Sequence, residues 1–419
     1  MPVKLRLILL NFLQFFIWGA WLITIGNYWF STRGWSPEEF GAIFATMGMS
    51  SLFMPTITGI IADRWMNAER LYAVLHLLGA IALIMLPQVN SPSAFFTVML
   101  LAMICYMPTI ALMNTISYSV LQDNKMDIVK DFPPIRVWGT IGFIAAMWIV
   151  NLSGSKASAT QFYISGGAAF LLAAYALTMP KIKPQNKTAK GAPIIETLGL
   201  SAFKLFKSYK MAIFFIFATL LGAALQLTNM YGDPFLDHFK DSPEFIDSFV
   251  VKYSTIIMSI SQISETLFIL AIPFFLKRFG IKKVMMISML AWVLRFGLFI
   301  WGDPGSGLWM IILSMIIYGM AFDFFNISGS LFVEQATDSK IRASAQGLFM
   351  MMTNGFGAII GSGVSGWVIG RFFSNADGQI NNWSGIWTSF SIYALVILIL
   401  FSILFKHKHN PNQELDLKH

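Results

Sequence analysis

Charge is what this sequence has least of: only 12% of its 419 residues are charged, against 56% hydrophobic. Soluble domains carry roughly a quarter charged residues, so there is little here from which to build a water-facing surface. Cysteine is nearly absent. The single Cys105 excludes an internal disulfide and cannot form a thiolate metal cluster by itself. It lies in an apolar run and reads as a small packing residue. Histidine is scarce too, and four of the five (His238, His407, His409 and His419) fall in loops or the tail. No paired nucleophile and base and no metal-ligating cluster stands within an apolar segment, which argues against an enzyme and calls for no metal or cofactor.

What is present in excess is apolar bulk: 39 Phe, 25 Met and 13 Trp. In water these would leave large exposed patches; in lipid they are ordinary. A membrane-spanning helix takes about 20 mostly apolar residues, and candidates lie at 5–30, 39–61, 71–89, 94–121, 136–154, 160–180, 211–232, 251–276, 284–302, 307–333, 343–371 and 385–405. Lys4 and Arg6 precede an apolar run to Phe30 that is too long for a signal-peptide core, so it reads as the first membrane helix. The net charge of +8 does not point to nucleic acid, because the basic residues are spread over short loops rather than gathered in one patch. Cytoplasmic loops are enriched in Lys and Arg. With both termini inside, 23 of the 29 basic residues fall on the cytoplasmic side and five outside (Arg33, Lys156, Lys240, Lys252 and Arg371), with Arg295 left inside the ninth span. One missed span would invert every later loop and destroy this asymmetry.

The segment from Lys181 to Lys210 is the longest polar connection and divides the spans six and six. The expected organisation is a six-helix bundle over 1–180, a cytoplasmic loop over 181–210, a second bundle over 211–406 and a cytoplasmic tail over 407–419. Gly59-Ile60-Ile61-Ala62-Asp63-Arg64 follows the second helix, and Leu276-Lys277-Arg278-Phe279-Gly280-Ile281-Lys282-Lys283 follows the eighth. The first of these basic turns resembles the glycine-x-x-x-aspartate-basic signature of the major facilitator superfamily. Met66 and Asn67 depart from it, while the second copy keeps Gly280. The resemblance implies an all-α membrane protein of twelve transmembrane helices in two bundles, with substrate held at midplane between them.

An ionisable side chain inside a span is costly unless it faces a cavity or a partner. Glu265 sits mid-helix with Gln262 three residues earlier, both on one helical face. A carboxylate beside an amide suits a polyhydroxy ligand, and burial favours the neutral acid, so Glu265 is a candidate for proton exchange; a structural carboxyl tied to another helix is the alternative. Gln226 and Asn229 repeat the spacing in the seventh helix, with interhelical hydrogen bonding as the other reading. Arg136, Thr140 and Phe143 form one stripe at i, i+4 and i+7 of the fifth helix. Arg136 is open to three roles: donor to a ligand oxygen, partner of Glu265 or Asp323, or surface anchor near Asp131. Tyr318 and Phe322, one turn apart, offer an aromatic face for a planar base, and Asp323 beside them is a second proton-site candidate. Arg295 reads as a charge partner for one of these acids, and His76, alone in the third span, as a packing residue, with a proton relay as the alternative. Gly355, Gly357, Gly361, Gly363, Gly366 and Gly370 make the eleventh helix a close-packing surface rather than a phosphate loop, which would follow a strand and carry a lysine.

Long runs carry a more specific likeness. Asp131-Phe132-Pro133-Pro134-Ile135-Arg136-Val137-Trp138-Gly139-Thr140, the segment Ser259 to Glu265, and Ala321-Phe322-Asp323-Phe324-Phe325-Asn326-Ile327-Ser328-Gly329-Ser330 resemble the nucleoside:proton symporters of enterobacterial inner membranes. So do Phe12-Leu13-Gln14, Trp18-Gly19-Ala20-Trp21 and Ile341-Arg342-Ala343-Ser344-Ala345-Gln346-Gly347. The resemblance implies import of purine and pyrimidine nucleosides with protons across the bacterial inner membrane. The partners are then nucleoside, protons and the lipid bilayer, with no nucleic acid and no obligate protein partner. It further implies that Arg136, Thr140, Phe143, Gln226, Asn229, Gln262, Glu265, Tyr318 and Phe322 line the nucleoside site. The same machine carrying another polar solute, such as a sugar, is the alternative.

Overall fold

The computed structural model describes residues 2–184, 200–338 and 341–407. Among the basic and histidine residues counted above, Lys187, Lys190, Lys340, Lys408, Lys418, His409 and His419 lie outside this set, as does much of the 181–210 connection. The described regular structure is helical, with one isolated bridge between Ser374 and Ile380. Lipid offers no partner to backbone N–H and C=O groups, and a helix satisfies them within its own segment. Nine helices among the described residues are long and apolar enough to cross a membrane.

The chain forms two compact units: Met1–Trp35 with Ala42–Thr197, and Leu198–His419 with Ser36–Gly41. The helices of the first region are α1 (Val3–Gly19), α2 (Pro37–Arg64), α3 (Ala68–Met85), α4 (Pro92–Asp123), α5 (Ile128–Leu152) and α6 (Thr160–Ala176). Those of the second are α7 (Tyr209–Asp237), α8 (Ser254–Trp301), α9 (Leu308–Ala336), α10 (Arg342–Met350), α11 (Ala358–Phe372) and α12 (Trp383–Leu404). A π-helical stretch, Met351–Gly357, joins α10 to α11.

Three elements differ from the hydropathy reading. The apolar run 5–30 is not one helix: α1 stops at Gly19 and the chain re-forms a helical turn at Ile25–Asn27 and a π-helical stretch at Tyr28–Thr32. Apolarity does not distinguish these backbone pitches. α7 runs past 232 to Asp237 and through Pro234, although proline forfeits one helical hydrogen bond. α5 begins at Ile128, so Arg136 stands two turns inside it rather than at its start. α8 is broken at Gly280 into arms 254–279 and 281–301, because that residue takes φ 75°. This left-handed conformation disfavours a side chain, which explains why the second basic turn retains its glycine.

Within the first unit α1 lies on α5 and α6, and α3 on α4 and α6. Within the second, α7 lies on the π-helical stretch and α11, and α8 on α9 and α12. Glycines set both of the first-named contacts. A Cβ on Gly19 would stand 2.4 Å from the Phe143 carbonyl oxygen, and one on Gly142 2.2 Å from that of Phe12. A Cβ on Gly222 would stand 2.1 Å from the Thr353 carbonyl oxygen, and one on Gly361 2.5 Å from Cα of Ala223. Such approaches let backbones pack closely where lipid gives no hydrophobic drive to associate. Cys105 on α4 lies beside Gly79 of α3, where an added Cβ would meet the Cys105 Cβ at an ordinary 3.5 Å.

Candidate substrate and proton sites

In the first unit, the Arg136 guanidinium lies 4.0 Å from the centroid of Phe15 on α1. Gly139, one turn on, makes room for it, since a Cβ there would come within 2.7 Å of both Arg136 Nη1 and the Phe15 ring. Asp131, the acid of the anchoring alternative, pairs with Lys4 at 2.8 Å. Phe143 meets Trp18 edge-on at 6.3 Å, and Trp18 in turn lies 5.8 Å from Tyr106. Arg136, Thr140 and Phe143 are all half-buried.

Behind these residues is a hydrogen-bonded cluster. Gln14 Oε1 accepts from the Tyr72 hydroxyl at 2.5 Å and lies 2.9 Å from His76 Nε2. Gln14 Nε2 donates to Thr109 Oγ1 at 2.9 Å, and the Tyr106 hydroxyl donates to the Gln14 carbonyl at 2.7 Å. Gln14, Tyr72, His76, Tyr106 and Thr109 are all buried. His76 is therefore one member of a polar network and not the isolated packing residue that its sequence context indicates.

In the second unit, α7 carries Gln226 and Asn229, the first arm of α8 carries Gln262 and Glu265, and α9 carries Tyr318, Phe322 and Asp323. Gly319 brings α9 against α8: a Cβ there would stand 2.6 Å from the Ser264 carbonyl, and the Ser264 hydroxyl donates to the Ile316 carbonyl. Glu265 follows Ser264 and Asp323 lies one turn after Gly319, so this close approach sets the two acids on neighbouring helices. Tyr318 stacks on Phe322 at 6.4 Å and meets Trp292 edge-on at 5.9 Å. It is only 4% exposed, so Phe322 is the more accessible ring of the pair. Three buried acceptors here, Gln226 Oε1, Gln262 Oε1 and Asp323 Oδ2, have no hydrogen-bond partner within the described protein. Native proteins leave few such atoms, and each is costly unless something else meets it.

A profile of the nucleoside H+ symporter family matches residues 1–410. The chain belongs to this family. The nucleoside permease NupG of Escherichia coli (strain K12) is 53% identical over 410 residues, covering 98% of this chain and 97% of that protein. The xanthosine permease of the same organism is 52% identical over 414 residues, covering 99% and 98%. A crystal structure of the nucleoside transporter NupG (D323A mutant) aligns with TM-score 0.94 at 52% identity, covering 97% of this chain and all of that one. This symporter is a multi-pass inner-membrane protein and a transporter rather than an enzyme, and the family does not favour the sugar alternative.

Two buried charges escaped or defied the sequence reading of this symporter. Asp233, fully buried on α7, accepts from Thr255 Oγ1 at 3.2 Å. With Gln226 and Asn229 it continues an i, i+3, i+7 stripe. The apolar run 211–232 ends one residue short of Asp233, so the register lies partly outside it. Among the described residues Arg295 makes no direct ion pair with an acid. It donates to the Ser314 carbonyl at 2.8 Å, Thr228 Oγ1 at 3.2 Å and Ser261 Oγ at 3.4 Å, with its guanidinium 4.6 Å from the Tyr318 ring centroid.

Proposed function

We propose that this symporter imports purine and pyrimidine nucleosides with protons by alternating access, with both termini in the cytoplasm. The bundles are 1–180 and 211–406, with 181–210 as the cytoplasmic connection and 407–419 as the tail. Twelve crossings follow when α8 counts as two spans and the 17-residue α1 and α6 are added to the nine longer candidates. Seventeen residues reach about 26 Å, close to the roughly 30 Å hydrocarbon core.

In this reading, the amides of Gln226, Asn229 and Gln262 hold the ribose hydroxyls and base edge, while Arg136 and Thr140 add polar contacts. Phe143, Tyr318 and Phe322 supply the aromatic surface, with Phe322 the most accessible of the α9 pair. Glu265 or Asp323 takes up the proton on the outer side and releases it inside. The observation that carries this reading is the set of buried acceptors without a protein partner, Gln226 Oε1, Gln262 Oε1 and Asp323 Oδ2, in one unit. Ribose hydroxyls are donors suited to the two amide oxygens. Replacing Gln226 or Gln262 by Leu should raise the uridine KM about tenfold, the worth of one well-made hydrogen bond. The melting temperature should not fall, since each change removes an unpaired acceptor. An unchanged KM in both variants would remove the amides from the site.

A further inference from the structure

One buried charge of the second unit has no part in these assignments. Arg295, on the second arm of α8, is 0% exposed. No carboxylate among the described residues lies within 4.0 Å of it. Among the described residues its Nη2 meets only the Met315 sulfur, at 4.0 Å, so this edge of the guanidinium makes no strong hydrogen bond there. A desolvated cation is costly, and an apolar residue of similar volume often serves packing as well or better. Packing alone therefore does not account for Arg295.

Its surroundings point to electrostatic work. Tyr318, on the helix that carries Asp323, lies under the guanidinium, and Ser261, one turn before Glu265, accepts from its Nη1. Away from the helix ends, the titratable groups on the elements packed around Arg295 are Tyr231 and Asp233 of α7, Glu265 of α8, Tyr318 and Asp323 of α9, and Tyr393 of α12. In a low-dielectric interior, charges influence each other well beyond contact distance. With Arg295 cationic and one proton shared by Glu265 and Asp323, these three side chains are neutral together.

We propose that Arg295 is the counter-charge of the transport cycle, positioned against Tyr318 to support the carboxylate left when Glu265 or Asp323 releases its proton. This rests on the reading that one of those acids carries the proton. Without the cation the deprotonated site gains a net negative charge, so proton release becomes the difficult step. Movement of the substrate-loaded, protonated carrier is little affected.

Purified protein in proteoliposomes separates the two steps. Uridine counterflow requires binding and alternation without net proton release, whereas accumulation driven by a pH gradient requires release. Arg295→Gln and Arg295→Met should keep counterflow within about threefold of the native protein and lose about tenfold or more in accumulation. Arg295→Lys keeps the charge and should keep accumulation within about threefold. Native accumulation in a neutral variant, equal loss of both activities in a folded one, or a folded Lys variant as defective as the neutral pair would overturn the proposal. If neither neutral variant folds, the Lys variant decides alone. Glu265→Gln and Asp323→Asn in the same vesicles test the underlying reading: native accumulation in both removes the acid assignment, whatever the arginine variants do.

Discussion

Gln14 uses both ends of its amide on the protein, accepting at Oε1 and donating from Nε2, whereas Gln226 and Gln262 leave their oxygens without a partner among the described residues. This difference separates a structural glutamine from a ligand-facing one, and it predicts opposite outcomes. Gln14→Leu strands the Tyr72 hydroxyl and the His76 ring nitrogen, while Thr109 keeps its bond to the Tyr106 carbonyl, and should cost about 2–4 kcal/mol. Thermal unfolding of the detergent-solubilised protein would reveal that loss, and native stability in the variant would refute it. The pairs Gln226/Asn229 and Gln262/Glu265 were legible in the sequence because i, i+3 spacing is local. Gln14's partners at 72, 76, 106 and 109 come from other helices, and no local pattern encodes such meetings. Asp233 differs in falling just past the apolar run that ends at 232.

Between elements, glycine position matters more than glycine content. The glycine-rich eleventh span was readable as a packing surface, and Gly357 and Gly361 do seat α7. Gly19, which seats α1 on α5, stands in the sequence only as part of a resembling run, and Gly142, its counterpart on α5, carries no local signal at all. Composition could not separate these from Gly363, where an added Cβ meets nothing within 4 Å. Gly142→Ala must push back the Phe12 backbone and should destabilise by about 3 kcal/mol. Gly363→Ala should be neutral or stabilise by about 0.5–1 kcal/mol through the better helix propensity of alanine. Comparing the two melting curves tests the geometric reading directly, and equal effects would contradict it. Hydropathy cannot divide 5–30 into α1, the turn at Ile25–Asn27 and the π-helical stretch, because α and π backbones draw on the same apolar residues.

Across the whole chain, charge is scarce enough to be informative. The asymmetry of 23 basic residues against five depends on every span being counted. It predicts that alkaline phosphatase fused after Lys406 stays inactive, while fusions near Arg33 or Lys156 are active. An active fusion at the C-terminus would reverse the proposed orientation. Repeated helix pairings recur in both units, though the sequence copies that announced them were only the two basic turns. Hydropathy located the lipid-crossing runs because solvent imposes that pattern on each segment separately. Arg295's neighbours were not legible, since three helices together make its environment. The lone thiol beside Gly79 has a practical corollary. Cys105→Ala removes a small side chain from a contact of ordinary closeness, leaving a background without cysteine. Nitroxide labels could then be attached in pairs, one on each unit, and their dipolar spectra would record how far apart the labels move as nucleoside and protons are supplied.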